Sequence, residues 1–463
     1  MRVSPRLLVA LGLAFAAIGL HPAKAADDPL TNRQWGLTQI HAPTAWAVST
    51  GKDVKIGIVD SGVNRNHEDI SGKVIASATC VNTKGNSGAC SAGGEDINGH
   101  GTHVAGVAAG NTGNGVGIAG VAPGAKLIVA RVFAPSSNGA EPTADLEDVK
   151  AGIDWVVGQG AQIVNLSVGV ETSGVCLLCG GNTQNPLGPA VEEAWQRGAL
   201  PIIASGNNNQ QLFGGGPGYA NLDAIVVGAT GPDDTVEAYS TAIGAAKWGI
   251  VAPGGDAVSA SDPRCTDSSR TDCPMVLSTY AGNTCNPASG PSCYAYLAGT
   301  SMSVPHVSGA AALLFAKGLT RQEVVDTLLA TTDPLDCGTN CAGRLNVARA
   351  VGTVANDENN NGGGNNNGGG HTGTTRKPSS GGTTAPKPTT TTPTSTPFTF
   401  SNNDHPLEPS TTLPHPRQAI ILNTEHHNDE GVPVGAGLAG IVSLAVAALA
   451  MSYNLRRTLT TLP

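Results

Sequence analysis

A chain of 463 residues, 40% apolar and only 13% charged, is long enough for one large domain or two to three ordinary ones and can fill a sizeable core. Its 26 Lys and Arg stand against 35 Asp and Glu, a formal net charge of -9, with no block of basic residues. That balance speaks against a nucleic-acid partner, because phosphate binding needs clustered Lys and Arg.

The chain opens with Arg2 and Arg6, an apolar run from Leu7 to Leu20, and a small-x-small cleavage signature, Ala23-Lys24-Ala25. Residues 1–25 therefore read as a signal peptide, with the mature chain starting near Ala26 outside the cytoplasm. A short hydrophobic anchor is the other reading, although the run is brief for a spanning helix. Ten cysteines fit an oxidising compartment. They fall in close neighbours, so local bridges are expected for Cys80–Cys90, Cys176–Cys179, Cys265–Cys273, Cys285–Cys293 and Cys337–Cys341. Loops this short contribute about 2–3 kcal/mol each in the chain-entropy picture. "CLLC" also has the form of a redox or half-zinc motif, but the second pair of ligands a zinc site requires is missing.

From Trp35 to about Gly352, apolar strand-like runs alternate with helical patterns. The runs 54–60, 126–132, 161–169, 199–207 and 223–229 are short, rich in Val and Ile, and end in Gly, Ser, Asp or Asn. Continuous apolar strands suit a sheet covered on both faces. Helices are predicted over 101–110, 143–157, 189–197, 301–317 and 320–331. The alternation predicts an α/β domain over 26–352, a mostly parallel sheet with helices on both faces, whose ligands gather at the carboxyl ends of the strands.

Beyond it the composition changes. "NDENNNGGGNNNGGG" and "TTAPKPTTTTPTSTP" cannot bury a core, so 353–431 reads as a disordered linker, with glycosylation open in its Thr-rich part. Residues 432–453 then form an apolar run whose roughly 22 residues, at ~1.5 Å rise, span ~33 Å, enough for a bilayer. Arg456 and Arg457 place the tail, 454–463, on the cytoplasmic side. The expectation is a single-pass protein of the cell membrane with its large domain outside; a lipid-anchor signal fits less well, since its tail should end apolar.

Three polar residues stand at the ends of elements in the large domain. Asp60 closes "IGIVDSG", His100 opens "GHGTHVAG", and Ser301 lies in "GTSMSVPH" at the first turn of an apolar helix. Each has an ordinary explanation alone: a turn residue for Asp60, a helix cap for His100 and for Thr300 or Ser301. Together, in the order Asp, His, Ser, they match a chain order that brings an orienting carboxylate, an imidazole base and a hydroxyl nucleophile into one cleft.

The blocks "VDSGV", "NGHGTHVAG" and "GTSMSVPHVSG" resemble the three signature blocks of the subtilisin-like serine proteases, the subtilases, and the similarity covers most of residues 35–352. The resemblance implies a serine endopeptidase acting on polypeptides through an acyl-enzyme, with Ser301 as nucleophile, His100 as base and Asp60 as its partner. It maps an oxyanion donor onto Asn207 of "ASGNNN", where a turn asparagine is the alternative, and substrate binding onto Ser167, Val168 and Gly169 of "LSVG". Val168 and Val170 depart from the family's usual Ser-Leu-Gly-Gly. The loop after Asn207 carries no charge, so apolar or small side chains are the expected preference.

"NTGNGVGIAGVAP" resembles the family's calcium loop, which implies a structural calcium held by Asp69, the Asn114 amide and the carbonyls of Val116 and Ile118; a glycine-rich connector is the other reading. No catalytic metal is expected. Only about ten residues separate Ala25 from Trp35, which leaves no room for the folding prodomain of many secreted subtilases. That plan is similar to the mycosins, anchored subtilases of type VII secretion, and makes narrow-specificity processing the alternative role. Two other classes remain: an inactive binding scaffold, which the complete set of four residues opposes, and a metallohydrolase using His100, His103 and His306, for which "HGTH" lacks the glutamate of HExxH.

Overall fold

Val and Ile dominate the apolar runs, and their β-branched side chains favour extended backbone. In the computed structural model the strands are β1 (Lys55–Asp60), β2 (Val74–Thr79), β3 (Ser91–Ala92), β4 (Lys126–Arg131), β5 (Phe133–Ala134), β6 (Thr143–Ala144), β7 (Ile163–Leu166), β8 (Leu200–Ala204), β9 (Ile225–Thr230), β10 (Trp248–Pro253), β11 (Val276–Tyr280), β12 (Cys293–Leu297), β13 (Cys341–Arg344) and β14 (Ile420–Leu422), and these runs become β1, β4, β7, β8 and β9 among them. The helices are α1 (Trp35–Gln39), α2 (Ala42–Ala45), α3 (His100–Ala109), α4 (Leu146–Gly158), α5 (Gly188–Gln196), α6 (Pro263–Thr266), α7 (Thr300–Ala316), α8 (Arg321–Ala330) and α9 (Val347–Ala350). The structure describes residues 28–135, 142–168, 185–207, 219–259, 261–281 and 292–353, together with the strand 420–422. These lie in one compact unit, 1–423; a second, 424–463, falls outside the described residues.

Nine strands form one sheet in the order β13-β10-β9-β8-β7-β1-β4-β2-β3, parallel except where β3 meets β2. Side chains alternate across it. Ile56 and Ile58 of β1, with Leu127 and Val129 of β4, join α3 and α7 in one buried core; Val59, Ile128 and Ala130 join α4 and α5 in the other. Two-sided burial is why these strands read as unbroken apolar runs. The chain leaves β1 toward the β4 side and later returns through β7 on the other side, so the crevice beyond the ends of β1 and β7 is a topological switch point.

The α/β expectation holds, with boundaries moved by a few residues. Helix 101–110 begins at His100, and residues 143–144 pair with Phe133–Ala134 before α4 starts. In the nine-stranded sheet β2, β3, β10 and β13 lie outside the predicted runs: β2 is half exposed, β3 has two exposed residues, and β10 carries Gly249 and ends in Pro253. Inside the stretch read as linker, β14 pairs antiparallel with β12, Tyr294 opposite Leu422. Bridges Cys80–Cys90, Cys265–Cys273 and Cys337–Cys341 form as expected, whereas Cys176, Cys179 and Cys285 lie outside the described residues. The signal peptide 1–25 and the apolar run 432–453 also lie outside them; among the described residues no helix is long and apolar enough to cross a membrane.

Candidate active site

Asp60 is the last residue of β1 and fully buried. Its Oδ1 accepts hydrogen bonds from the Ser61 amide at 2.7 Å and from His100 Nδ1 at 2.8 Å. The other oxygen, Oδ2, is buried without a protein partner among the described residues, so the imidazole is the one side chain recorded against this carboxylate. His100 is the first residue of α3 and remains 24% exposed, buried on its carboxylate side and open to the cleft.

The start of α3 can lie this close to β1 because residue 101 is glycine: a Cβ there would meet the Gly62 carbonyl oxygen at 2.1 Å. Asp96 secures the same turn. Its Oδ1 accepts from Ser61 Oγ, the Asn98 amide and the Gly99 amide, and its Oδ2 from the Thr102 amide and hydroxyl. Burial raises its carboxyl above the usual range, and these donors pull it back.

Ser301 follows Gly299, whose φ of 150° favours glycine, and lies in the first turn of α7. Its hydroxyl donates to the Ser167 carbonyl at 3.1 Å. Asn207, just past β8, has its orientation set by chemistry: Oδ1 accepts from the Thr300 amide and the Thr300 hydroxyl, both at 2.9 Å. The amide nitrogen is thereby turned away as a donor beside Gly299. Thr300, which holds it, was read only as a helix cap. Ser167 and Val168 are buried beyond the end of β7, and Gly169 lies outside the described residues. The structure thus brings Asp60 to His100, Asn207 to Thr300 and Ser301 to Ser167, all at the carboxyl ends of the central strands.

Residues 51–371 match the model of the subtilase family, peptidase S8. The chain belongs to the subtilase family. It is a serine endopeptidase of that family. It is 33% identical over 330 residues to thermitase of Thermoactinomyces vulgaris, covering 70% of this chain and 98% of thermitase. Subtilisin BL of Lederbergia lenta is 33% identical over 284 residues, 61% of this chain and 84% of that protein. Among solved structures, a protease from Pseudoalteromonas arctica PAMC 21717 matches with a TM-score of 0.56 at 26% identity, over 71% of this chain and 98% of that one.

In this subtilase two of the expected calcium residues, Asp69 and Asn114, meet and are hydrogen-bonded within the loop. Asp69 Oδ1 accepts from the Asn114 amide nitrogen at 2.8 Å; Oδ2 accepts from the Ile118 amide at 2.8 Å and the Tyr294 hydroxyl at 2.9 Å. Asn114 Oδ1 takes the Val116 amide at 3.1 Å, which fixes its nitrogen toward Asp69. Asp28 closes the rest of the loop, accepting from the Gly113 and Gly115 amides and the Thr112 hydroxyl. N–H and O–H donors meet these carboxylates, whereas calcium needs oxygens turned toward it. Burial lifts Asp69 to about 6.

The histidines of the metallohydrolase reading diverge as well. His103 Nε2 contacts the carbonyls of Val276 and Ala295, and His306 Nδ1 that of Met302. Burial lowers them to about 3 and about 4, so both are neutral core donors.

Proposed function

We propose that Ser301 is the nucleophile of this serine endopeptidase, His100 its general base, Asp60 the carboxylate that orients the imidazole, and Asn207 a donor to the oxyanion. The observation that carries the reading is the 2.8 Å bond between Asp60 Oδ1 and His100 Nδ1, at the same carboxyl-terminal edge of the sheet as the oriented Asn207 amide. A serine hydroxyl is a weak nucleophile at neutral pH. With Nδ1–H donated to Asp60, Nε2 carries the lone pair that accepts the Ser301 proton as Oγ attacks the scissile carbonyl carbon. The imidazolium pairs with a carboxylate that has lost its water to burial, and charge there is stabilised strongly.

Negative charge develops on the former carbonyl oxygen. Asn207 Nδ2–H, the Ser301 amide and the N-terminal end of α7 supply fixed donors and positive potential for it. His100 then passes its proton to the departing amine as the C–N bond breaks, leaving an acyl-Ser301 ester. Water, deprotonated by His100, hydrolyses that ester and regenerates the hydroxyl. In the resting molecule the hydroxyl is parked on the Ser167 carbonyl, so substrate binding along Ser167, Val168 and Gly169 is coupled to turning it toward His100.

The reading extends to place and preference. Residues 1–25 export the chain, 353–431 link, 432–453 anchor it in the cell membrane, and the protease domain works outside; the disulfides support an oxidising compartment. The uncharged segment after Asn207 favours apolar or small side chains in the substrate. No step uses a cation.

The test is hydrolysis of unfolded casein and labelling by a serine-directed fluorophosphonate, with full-length protein beside Ser301→Ala. Both signals should vanish in the variant; equal labelling of the two proteins, or of neither, ends the proposal. Deleting 432–453 should release the activity from carbonate-washed membranes, and retention there would remove the anchor from it.

A further inference from the structure

Strand β7 contains an anomaly. Asn165 lies between Val164 and Leu166 in the middle of the sheet, fully buried. A buried amide without partners is costly, so its bonds are informative. Ser308 Oγ donates to Asn165 Oδ1 at 2.9 Å, Asn165 Nδ2 donates to Ser167 Oγ at 2.9 Å, and Ser167 Oγ donates to the Ser301 carbonyl at 2.8 Å. The direction follows from chemistry: an amide oxygen only accepts and its nitrogen only donates, so the single Ser167 proton points at Ser301. Ser308 and Asn165 are fully buried and Ser167 is 3% exposed, so water does not compete.

Proline explains why the Ser301 carbonyl takes an outside donor. In an α-helix the carbonyl of residue 301 accepts the amide proton of residue 305, and here that residue is Pro305, inside α7, with no N–H to give. The peptide following Ser301 is therefore held from β7 instead of from its own helix. Ser167 does both halves of this: its hydroxyl grips the Ser301 carbonyl, and its carbonyl receives the Ser301 hydroxyl.

We infer that Ser308, Asn165 and Ser167 form a positioning relay that sets the Ser301 main chain, and with it Oγ, against the strand that takes the substrate. The inference rests on Ser301 being the nucleophile. Ser308 and Asn165 touch no reacting atom, and Ser167 meets Ser301 Oγ only through its main-chain carbonyl, so the three side chains are positioning groups. Serine at 308 lies two turns along α7 on the face that meets β7, where alanine would pack as well but leave the Asn165 oxygen unheld.

Single-turnover acylation and steady-state kinetics on the full-length protein separate this from a packing role. Ser167→Ala should lower kcat about tenfold and Ser308→Ala several-fold, each with KM within about twofold, the scale of a lost buried hydrogen bond felt at the transition state. Ser308→Thr, which keeps the hydroxyl, should restore the Ser308→Ala loss. The double variant should match Ser167→Ala alone, because both break one line. Additive losses, a change in KM only, or equal activity of Ser308→Ala and Ser308→Thr overturn the relay. Fluorophosphonate labelling keeps the two readings apart: wild type that does not label refutes Ser301 as nucleophile, whereas wild type that labels beside relay variants that acylate at its rate refutes the relay alone. Should Ser167→Ala fail to fold, the Ser308 pair decides.

Discussion

The oxyanion role proposed for Asn207 depends on which end of one amide is free to donate. Thr300 fixes that end by giving both of its donors to Oδ1, so the nitrogen is already aimed before any substrate arrives. Preorganised donors of this kind act mainly on kcat. In subtilisin the loss of one costs about 10²–10³ in kcat, and Asn207→Ala in this relative should fall on that scale with KM little changed. Thr300→Val removes one of the two donors on Oδ1 and should cost less; a larger loss than Asn207→Ala would place Thr300 elsewhere in the reaction. Progress curves with a peptide amide substrate measure both. At this scale candidates for the site were readable in the sequence where chemistry marks itself. Asp60, His100, Asn207 and Ser301 sit in short blocks with distinctive neighbours. Asp96, Thr300 and the Asn165 line were not, because what they do depends on which carbonyl or amide the fold brings opposite, and residue type alone does not reveal that.

The same contrast holds among the elements. Strands β1, β4, β7, β8 and β9 were legible as apolar runs, and α7 as an apolar helix, whereas β2, half exposed, and β13, drawn into the sheet only beside β10, carry no such signature, and buried β10 is broken by Gly249 and Pro253. Glycines inside helices separate the two kinds of information further. Gly101 and Gly158 look alike in sequence. A Cβ at 101 would meet the Gly62 carbonyl oxygen at 2.1 Å and Asp60 Cβ at 3.1 Å, whereas at 158 the nearest atom is the end of Arg197 at 3.7 Å. Alanine gains at most about 0.5–1 kcal/mol in helix propensity at either place, since each lies at a helix end. At 101 that gain loses to backbone overlap worth about 1–3 kcal/mol, and relief comes by moving α3, with His100, off β1. Gly101→Ala is therefore expected to lower both the urea midpoint and kcat, and Gly158→Ala to raise the midpoint with kcat unchanged. If Gly101→Ala is stabilising, α3 does not approach β1 as closely as the site requires.

Across the whole molecule, buried ionisable groups pull stability in opposite directions with pH. His67, His103 and His306 are held neutral by burial, at about 4, about 3 and about 4. Below their ordinary 6.5 the unfolded chain binds protons that the folded chain refuses, so acid erodes stability through these three. Glu237 works the other way. Burial, then the nearby Asp256 and Asp233, push its carboxyl up to about 8 from an ordinary 4.5. Between those values the folded chain keeps a proton that the unfolded chain has released, so this group's contribution is complete below 4.5, is lost as pH rises to 8, and changes no further above it. Glu237→Gln keeps the shape and removes the titration. The Tm difference, variant minus wild type, should accordingly grow from pH 5 to pH 8 by a few degrees and then level off, as read by thermal melts in buffers of constant ionic strength with the active site blocked by fluorophosphonate to prevent self-digestion. A difference that stays constant from pH 5 to 9 would mean that Glu237 ionises as freely in the folded chain as in the unfolded one.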